Sequence, residues 1–430
     1  MKNAVKEFFL KKRSLQNLRQ EKGVALLMAM MTLTLLMWIS VELSYDTSVD
    51  YVVASNEVNQ VKAYYAAKSG VELSLLRINL YKQVMATLGN SLPEEQKKML
   101  DLIWSFPMMW PPQIPDTSKT TEVDKGLIKS AVAESLMDAQ YAATITSEGG
   151  RIDINDLGSE VKALADGTRA QLLNIFKTEI ERNEEFSRKY SGYNFDELLN
   201  NIADYVDADN EGRNGGDESS PYRDVKLPEG VDVFPPNRSF ITVDELHMVA
   251  GMNDDFYKLL EPRITVYGVK GFNVNQATKE TLMSLDPTMT EEAVNMVLKR
   301  INDPQEGGPF PAENCKKSFL QFISGYGVDT RALEQSTLPF VCGTELNFRI
   351  ESDGVALRSK KSITVITYDL QNLVGSYTGM LQEQLKDPKK GGNDQAEDGI
   401  GQGRGQGSSE GKNEIKASKE RPSVVYWMEN

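Results

Sequence analysis

A run of eighteen residues without a charged side chain, Val24 to Val41, constrains this chain more than any other feature of its sequence. At the rise of an α-helix the run is roughly 27 Å long, close to the thickness of the hydrocarbon layer of a bilayer. The residues before it carry seven lysines and arginines but only two acids, Glu7 and Glu21. Because basic flanks stay on the cytoplasmic side, we predict one membrane span with the head beyond Glu42 outside the cytoplasm.

The remainder of the 430-residue chain is long enough for more than one hydrophobic core. Its formal charge of −14 argues against a nucleic-acid-binding protein, because phosphate attracts basic surfaces. The chain holds one histidine, His247, so a zinc site with two histidines is excluded and a serine triad would have to use that residue. We therefore predict a protein that is not an enzyme, with His247 in a packing or surface role.

The order of residues around the apolar run separates two kinds of targeting signal. A cleaved secretory signal would end in small residues of the Ala-x-Ala kind, which Ser40 to Ser44 do not provide. Here a glycine precedes the run, in Glu21-Lys22-Gly23-Val24-Ala25. This order resembles the type IV prepilin signal, which a membrane peptidase cuts after the glycine. The resemblance implies cleavage after Gly23 and N-methylation of Val24. An ordinary signal anchor followed by a separate helix is the alternative.

The fifth residue after the expected cleavage site narrows the resemblance. Pilin-like proteins normally have a glutamate there, thought to pair with the amine of the preceding subunit, whereas this chain has Met28. In lacking that acid, the chain resembles the type II secretion system protein K family of minor pseudopilins. Phe272 to Ala277, Phe-Asn-Val-Asn-Gln-Ala, is similar to a signature of the same family, with Gln276 where the family often has threonine.

The resemblance implies a role in assembly. The protein would sit at the tip of the pseudopilus, initiating or capping its growth for secretion across the outer membrane. The implied partners are the minor pseudopilins I and J, the major pseudopilin and the prepilin peptidase. The implied location is the inner membrane, with a cytoplasmic N-terminus and a periplasmic head. A minor pilin of a type IV pilus is the alternative within the same structural class.

The pattern of the head predicts an α+β fold, in which a pilin-like N-terminal helix packs on a small antiparallel sheet. Tyr64, Ala67, Val71, Leu75 and Ile78 recur at helical spacing, so we expect the span to continue as one long helix. We expect a surface loop at 106–115, a hairpin from 141–146 and 151–155, and strands at 344–352, 361–369 and 423–428. The predicted divisions are a leader 1–23, a transmembrane helix 24–44, a pilin-like part 45–157, an inserted helical domain 158–340, and C-terminal strands 341–430 containing a disordered loop 386–421.

Within the inserted domain, two segments look weakly like copies of each other. They are Arg151 to Asn155 and Gly271 to Asn275, each followed by helical periodicity. The stretches 242–260 and 290–301 resemble helix-hairpin-helix elements, which elsewhere bind DNA. A membrane-anchored DNA-uptake receptor is therefore an alternative of a different class, but Asn253-Asp254-Asp255 would repel phosphate where such a hairpin needs small or basic residues.

The segment from Asp207 to Glu218 has the spacing of a calcium-binding loop. Acids at positions one, three and five, a glycine at six and a glutamate at twelve follow the EF-hand order. The candidate ligands are Asp207, Asp209, Glu211, Asp217 and Glu218, and Asp204 is either a further ligand or a solvated residue. Ser219-Ser220-Pro221 and the polar Asn214 depart from a full EF-hand. The loop is thus either a mobile acidic surface or a structural calcium site, and calcium is also what the resemblance implies.

The chain has two cysteines, Cys315 and Cys342, on the oxidising side of the predicted span. They could form a disulfide that joins the helical domain to the sheet, or remain two buried thiols. A membrane-anchored calcium-dependent hydrolase is a further alternative, but the sequence shows no nucleophile and base for it.

Overall fold

The computed structural model describes residues 2–89, 91–92, 96, 99–112, 122–223, 234–343, 345, 347–386 and 422–430. Its α-helices are Lys2–Leu88, Leu102–Ser105, Glu122–Glu134, Lys162–Arg182, Glu184–Tyr190, Phe195–Val206, Asp254–Leu260, Lys279–Met283, Glu291–Asn302, Cys315–Ser324, Arg331–Gln335 and Leu370–Lys386. Short 3-10 helices are Ile154–Gly158, Ser220–Tyr222, Val243–Met248, Val274–Gln276, Pro304–Glu306 and Ala312–Asn314. Of the loop predicted to be disordered, 387–421 lies outside the described residues.

The nine strands of the described residues form one large sheet and two small ones. They are β1 Met108–Trp110, β2 Gln140–Ser147, β3 Ile152–Asp153, β4 Ile264–Thr265, β5 Phe272–Asn273, β6 Phe340–Val341, β7 Phe348–Ala356, β8 Ser359–Thr367 and β9 Val424–Glu429. The large sheet has the order β1-β2-β7-β8-β9 and is antiparallel throughout. The pairs β3-β4 and β5-β6 are parallel. This arrangement confirms the α+β prediction.

The apolar run and the first part of the head belong to one continuous helix, Lys2–Leu88. The anchor followed by a separate helix is therefore wrong. Within the described residues, one helix is long and apolar enough to cross a membrane, and its most apolar window is not buried by the rest of the chain. The predicted stripe faces the sheet, since Ala67, Val71 and Ile78 are fully buried and pack with Phe348 and Val365.

Two local predictions are wrong because the strands choose distant partners. Ile152–Asp153 does not form a hairpin with β2, but pairs in parallel with β4 more than a hundred residues later. Its alternation reflects burial of Ile152 and Ile154 in the helical domain. The proline-rich stretch 106–115 is not entirely loop, because Met108–Trp110 forms the edge strand beside β2.

The inserted domain consists of two lobes, each with its own core. The first lobe has its core between Ile152 and Val266, and the second between Phe272 and Cys342. The disulfide Cys315–Cys342 lies inside the second core, with 5.5 Å between its Cα atoms. It therefore links two parts of the same lobe, and the prediction that it joins the helical domain to the large sheet is wrong.

The two lobes repeat one backbone design. In the first lobe, Asn155 donates its side-chain amide to the carbonyls of Phe240 and Val266 and accepts from the Phe240 amide at 2.8 Å. In the second, Asn275 makes the same contacts with Phe310 and Cys342. Each asparagine follows the first strand of a parallel pair, so the weak sequence repeat corresponds to a repeated structure.

The helix Leu370–Lys386, which follows β8, is absent from the sequence-based predictions. Asp369, just before it, forms a buried ion pair with Lys82 of the long helix at 3.2 Å. Its backbone amide donates to the side chain of Asn347 at 3.0 Å. Burial of this pair ties the end of β8 to the long helix. His247 packs against Tyr257, with 4.0 Å between ring centres, in the structural role expected of it.

The long helix approaches β7 closely at Gly354. A Cβ atom added to Gly354 would lie 1.9 Å from the Ala63 carbonyl oxygen and 2.5 Å from the Ala67 nitrogen. No side chain could be accommodated there unless the helix moved away from the sheet.

We predict that Gly354→Ala lowers the free energy of unfolding by about 2 kcal/mol or more, because the added methyl group would separate helix and sheet. Thermal unfolding of the full chain in detergent measures the effect. Gly375→Ala is the matched control, since nothing lies within 4 Å of its Cβ position and the site is in a helix. There alanine should stabilise the chain by about 0.5–1 kcal/mol. Equal stability of the two variants would contradict the close packing.

Candidate metal centre

The acidic loop begins where a strongly amphipathic helix of the first lobe ends. Phe195–Val206 starts at the cap residue Asn194, whose side chain accepts from the Glu197 amide, and buries Leu198 and Ile202 in the core. Its last turn carries Asp204 on the buried side. Asp207 follows as the C-terminal cap, donating its amide to the Ala203 carbonyl. The helix thus fixes two carboxylates one turn apart.

The loop then folds back so that its end meets its beginning. Glu211 and Asp217 form an antiparallel bridge, and the Gly212 amide donates to the Gly216 carbonyl at 2.9 Å. Gly215 and Gly216 have φ angles of 87° and 89°, a region that favours glycine. This reversal returns Glu218 to the helix end.

Three carboxylates meet at that point. Asp204, Asp207 and Glu218 each offer an oxygen, and the three oxygens lie within 4.8 Å of one another. Asp204 is 5% exposed and Glu218 is 4% exposed. Such a group of buried negative charges is unfavourable unless a cation or protons neutralise it.

Several oxygens in this cluster lack the hydrogen-bond donors that buried acceptors require. Neither carboxylate oxygen of Glu218 has a hydrogen-bond partner, and Oδ1 of Asp207 has none either. Hard oxygen ligands of this kind suit a divalent cation such as calcium. The unsatisfied oxygens, together with the clustering, make the residues present a good fit for a metal ion.

Arg213 contacts the same cluster from the loop. Its guanidinium donates to Oδ2 of Asp207 from Nε at 3.2 Å and from Nη2 at 2.9 Å. Its backbone amide donates to both oxygens of Asp204, at 3.2 and 3.1 Å. One arginine therefore holds both carboxylates at the helix end.

The carboxyl pKa values reflect burial and crowding. Burial, with repulsion from Asp207, raises the pKa of Asp204 to about 6, against hydrogen bonding and attraction from Arg213. Burial, with repulsion from Asp207 and Asp204, raises the pKa of Glu218 to about 7. Burial also raises the pKa of Asp207. The three carboxyl groups therefore bind protons at a higher pH than free carboxyl groups do.

The other candidate ligands lie outside this group of three. Asp209 is exposed and accepts from the Glu211 amide at 2.8 Å. Asp217 is exposed too, and hydrogen bonds from Ser219 lower the pKa of its carboxyl group. The involvement of Asp209, Glu211 and Asp217 in binding an ion stays a prediction, whereas Asp204, which the loop spacing does not include, lies within the cluster.

Sequence reasoning missed Asn237. Its Nδ2 donates to the Asp209 carbonyl, and at 3.2 Å to Oδ1 of Asn210, while its own buried Oδ1 has no partner. Its φ angle is 45°, in the left-handed region that asparagine tolerates better than most residues. Asn237 is distant from the loop in the sequence, so no local pattern indicated this contact.

We predict that, in chelator, the stability of the protein falls as the pH rises from about 5 to 8. The raised carboxyl pKa values mean that the folded state binds more protons than the unfolded state in this range, so deprotonation favours unfolding. Melting temperatures at successive pH values measure the slope. Glu218→Gln should flatten it, while Glu292→Gln, at an exposed helical position, should not. A wild-type slope of opposite sign would refute the electrostatic account.

Comparisons with known proteins identify a family for the first lobe. The family described as "Type II secretion system (T2SS), protein K" matches residues 150–269, which include the first lobe and the acidic cluster. Among solved structures, the chain is similar to one in the crystal structure of the GspK-GspI-GspJ complex from the enterotoxigenic Escherichia coli type 2 secretion system. That likeness has 15% identity, covers 74% of this chain and 94% of the other, and has a TM-score of 0.46.

The search of curated proteins found no match. The family match therefore rests on the first lobe, and it coincides with the family that the leader, Met28 and the segment Phe272 to Ala277 indicate. Residues 150–269 of this chain are thus similar to the type II secretion system protein K family.

Proposed function

We propose that this chain is a minor pseudopilin that sits at the tip of the type II secretion pseudopilus and initiates or caps its assembly. The observation that carries the proposal is the protein K match over the first lobe. That lobe is inserted into a head whose long helix packs on an antiparallel sheet, the architecture expected of a pilin-like subunit.

The position of the lobes supports a place at the tip. Ala63, nearer the apolar run, lies against Gly354 in β7, whereas Tyr81, farther along the helix, lies against Phe348 at the start of the same strand. The inserted domain leaves the sheet after Ser147 and returns before Phe348, which face each other in the register. The two lobes are therefore attached at the end of the sheet away from the apolar run, where they would obstruct a further subunit.

The apolar half of the long helix supports the role in assembly. Leu26, Leu33 and Met37 are exposed in the isolated chain, as are most of their neighbours. Such a surface suits lipid before extraction and the helices of other subunits afterwards. Met28 places no acid at the fifth mature position, so this subunit would not need the amine of a subunit ahead of it.

The proposed partners are the minor pseudopilins I and J, the major pseudopilin and the prepilin peptidase. In the Escherichia coli complex, GspK is bound to GspI and GspJ. We propose the corresponding assembly for this chain. The proposed location is the inner membrane, with a cytoplasmic N-terminus and a periplasmic head. The protein K match favours this system over a type IV pilus.

We further propose that the acidic cluster binds calcium in a structural role. Asp204, Asp207 and Glu218 would be ligands, with Asp209, Glu211 and Asp217 as further candidates. The unpartnered oxygens of Asp207 and Glu218 support this assignment. A bound ion would fasten the loop to the helix Phe195–Val206, and nothing in the cluster requires a catalytic role.

We predict that the protein isolated from native membranes begins at a methylated Val24 and copurifies with pseudopilins I and J. Intact mass and N-terminal sequencing measure the first result. Gly23→Leu should block cleavage without disturbing the helix, because nothing lies within 4 Å of a Cβ at that position. Val24→Leu is the control and should still be cut. A wild-type chain that keeps its leader would withdraw the pseudopilin proposal.

We predict that calcium raises the melting temperature of the chelator-treated full chain by several degrees at saturating concentration. Binding to the folded state alone contributes about 2.7 kcal/mol at a hundredfold excess over the dissociation constant. Asp207→Asn should abolish most of the shift, because it removes a charged ligand. Asp255→Asn, which changes a half-buried acid of the same lobe paired with Lys189, should retain it. Equal shifts in both variants would exclude the cluster as the calcium site.

A further inference from the structure

Arg213 is a positive charge built into the proposed calcium site, and the inference below rests on that proposed site. Its guanidinium donates twice to Oδ2 of Asp207, and its Nε lies 3.6 Å from Oδ1 of Asp204. The side chain of Asp207 is 12% exposed and that of Arg213 is 40% exposed, so water screens this contact in part. Arg213 is thus close enough to alter what the carboxylates bind.

The charges of the cluster can be counted from these contacts. Asp204, Asp207 and Glu218 contribute three negative charges when ionised, and Arg213 contributes one positive charge, which leaves −3 + 1 = −2. A divalent cation would neutralise this group, whereas a trivalent cation would leave an excess positive charge in a poorly solvated site. Asp209 adds a further negative charge nearby, but it faces solvent.

We propose that Arg213 sets the charge selectivity of the site, so that it favours a divalent over a trivalent cation. Removal of the guanidinium leaves three uncompensated carboxylates. The guanidinium then no longer repels the incoming ion. The resulting gain in binding free energy is larger for a trivalent than for a divalent ion. Arg213 touches the ligands rather than the ion, and acts through them.

Arg213 also has a geometric effect that must be separated from its charge. By holding Oδ2 of Asp207, it leaves Oδ1 of the same carboxylate without a partner in the cluster. Loss of the arginine could therefore misplace Asp207 and weaken the binding of every cation, whatever the charge of the ion. The ratio of two dissociation constants cancels a loss that is common to both ions, and this ratio is what should be measured.

The experiment titrates the chelator-treated full chain in detergent with Ca²⁺ and with Tb³⁺, using calorimetry for both ions. In Arg213→Gln, the ratio of the Ca²⁺ to the Tb³⁺ dissociation constant should rise about tenfold over wild type, equivalent to about 1.4 kcal/mol. Arg213→Lys keeps the charge without the forked geometry, and should keep the wild-type ratio even if both affinities fall. Arg331→Gln removes an exposed arginine paired with Asp329 in the second lobe, and should leave both constants unchanged.

The outcomes separate this inference from the proposed site. If wild type binds neither ion, the calcium proposal itself fails. If wild type binds calcium but the ratio is the same in Arg213→Gln, Arg213 does not set charge selectivity. A ratio that shifts in Arg213→Lys would assign the effect to geometry and overturn the inference. If Arg213→Gln does not fold, Arg213→Lys still tests the inference. An altered ratio of dissociation constants in Arg213→Lys by itself contradicts the role of charge.

Discussion

The head depends on a buried carboxylate at the point where the chain leaves the sheet. Glu148 follows β2 and is fully buried, with one oxygen accepting from Arg349 of β7 and the other from Thr265 of β4. Its backbone amide donates to the Asn347 carbonyl at 3.0 Å. A buried charge is tolerated only where such partners surround it. The same residue therefore connects the large sheet with the first lobe.

Asn347, which directly precedes β7, extends this junction. Its side-chain amide donates to the carbonyls of Tyr267 and Gly268, and its oxygen accepts from the Asp369 amide. Lys270 adds contacts of 3.0 and 2.7 Å to the buried carboxylates of Asp153 and Asp156. The Asn347 bonds link the large sheet to the first lobe, so that lobe is held by specific polar contacts in addition to apolar packing. Such contacts fix the orientation of the first lobe on the sheet.

The sequence predicted the features whose cause is local. Helical periodicity identified the buried stripe of the long helix. The spacing from Asp207 to Glu218 predicted that the first and last acids of the loop lie close together. It failed where the partner is distant, as in the parallel pairing of Ile152 with Ile264. The contact of Asn237 with Asp209 is another such case. Short strands carry too little pattern to specify a partner far along the chain.

Other failures came from weak local signals rather than distance. The helix Leu370–Lys386 contains Gly375 and Gly379, which lower helix propensity, so its pattern was not recognised. Three residues are enough for β1, and the flanking prolines do not prevent so short an edge strand. The cysteine pair was visible, but its place within one lobe depends on β6 packing beside β5, which sequence alone did not reveal.

The repeat between the lobes shows what is particular about the connection that carries the acidic cluster. In the second lobe, the cap residue Asp303 ends a helix as Asp207 does in the first, and seven positions later Phe310 reaches the asparagine cradle. In the first lobe, the corresponding connection from Asp207 to Phe240 spans 33 positions. A longer connection loses more conformational entropy on ordering and needs stabilising contacts of its own. Asp207 and Glu218, at the two ends of the acidic loop, would provide such contacts if an ion joined them. The acidic cluster of Asp204, Asp207 and Glu218 thus lies where the first lobe departs from the shared design.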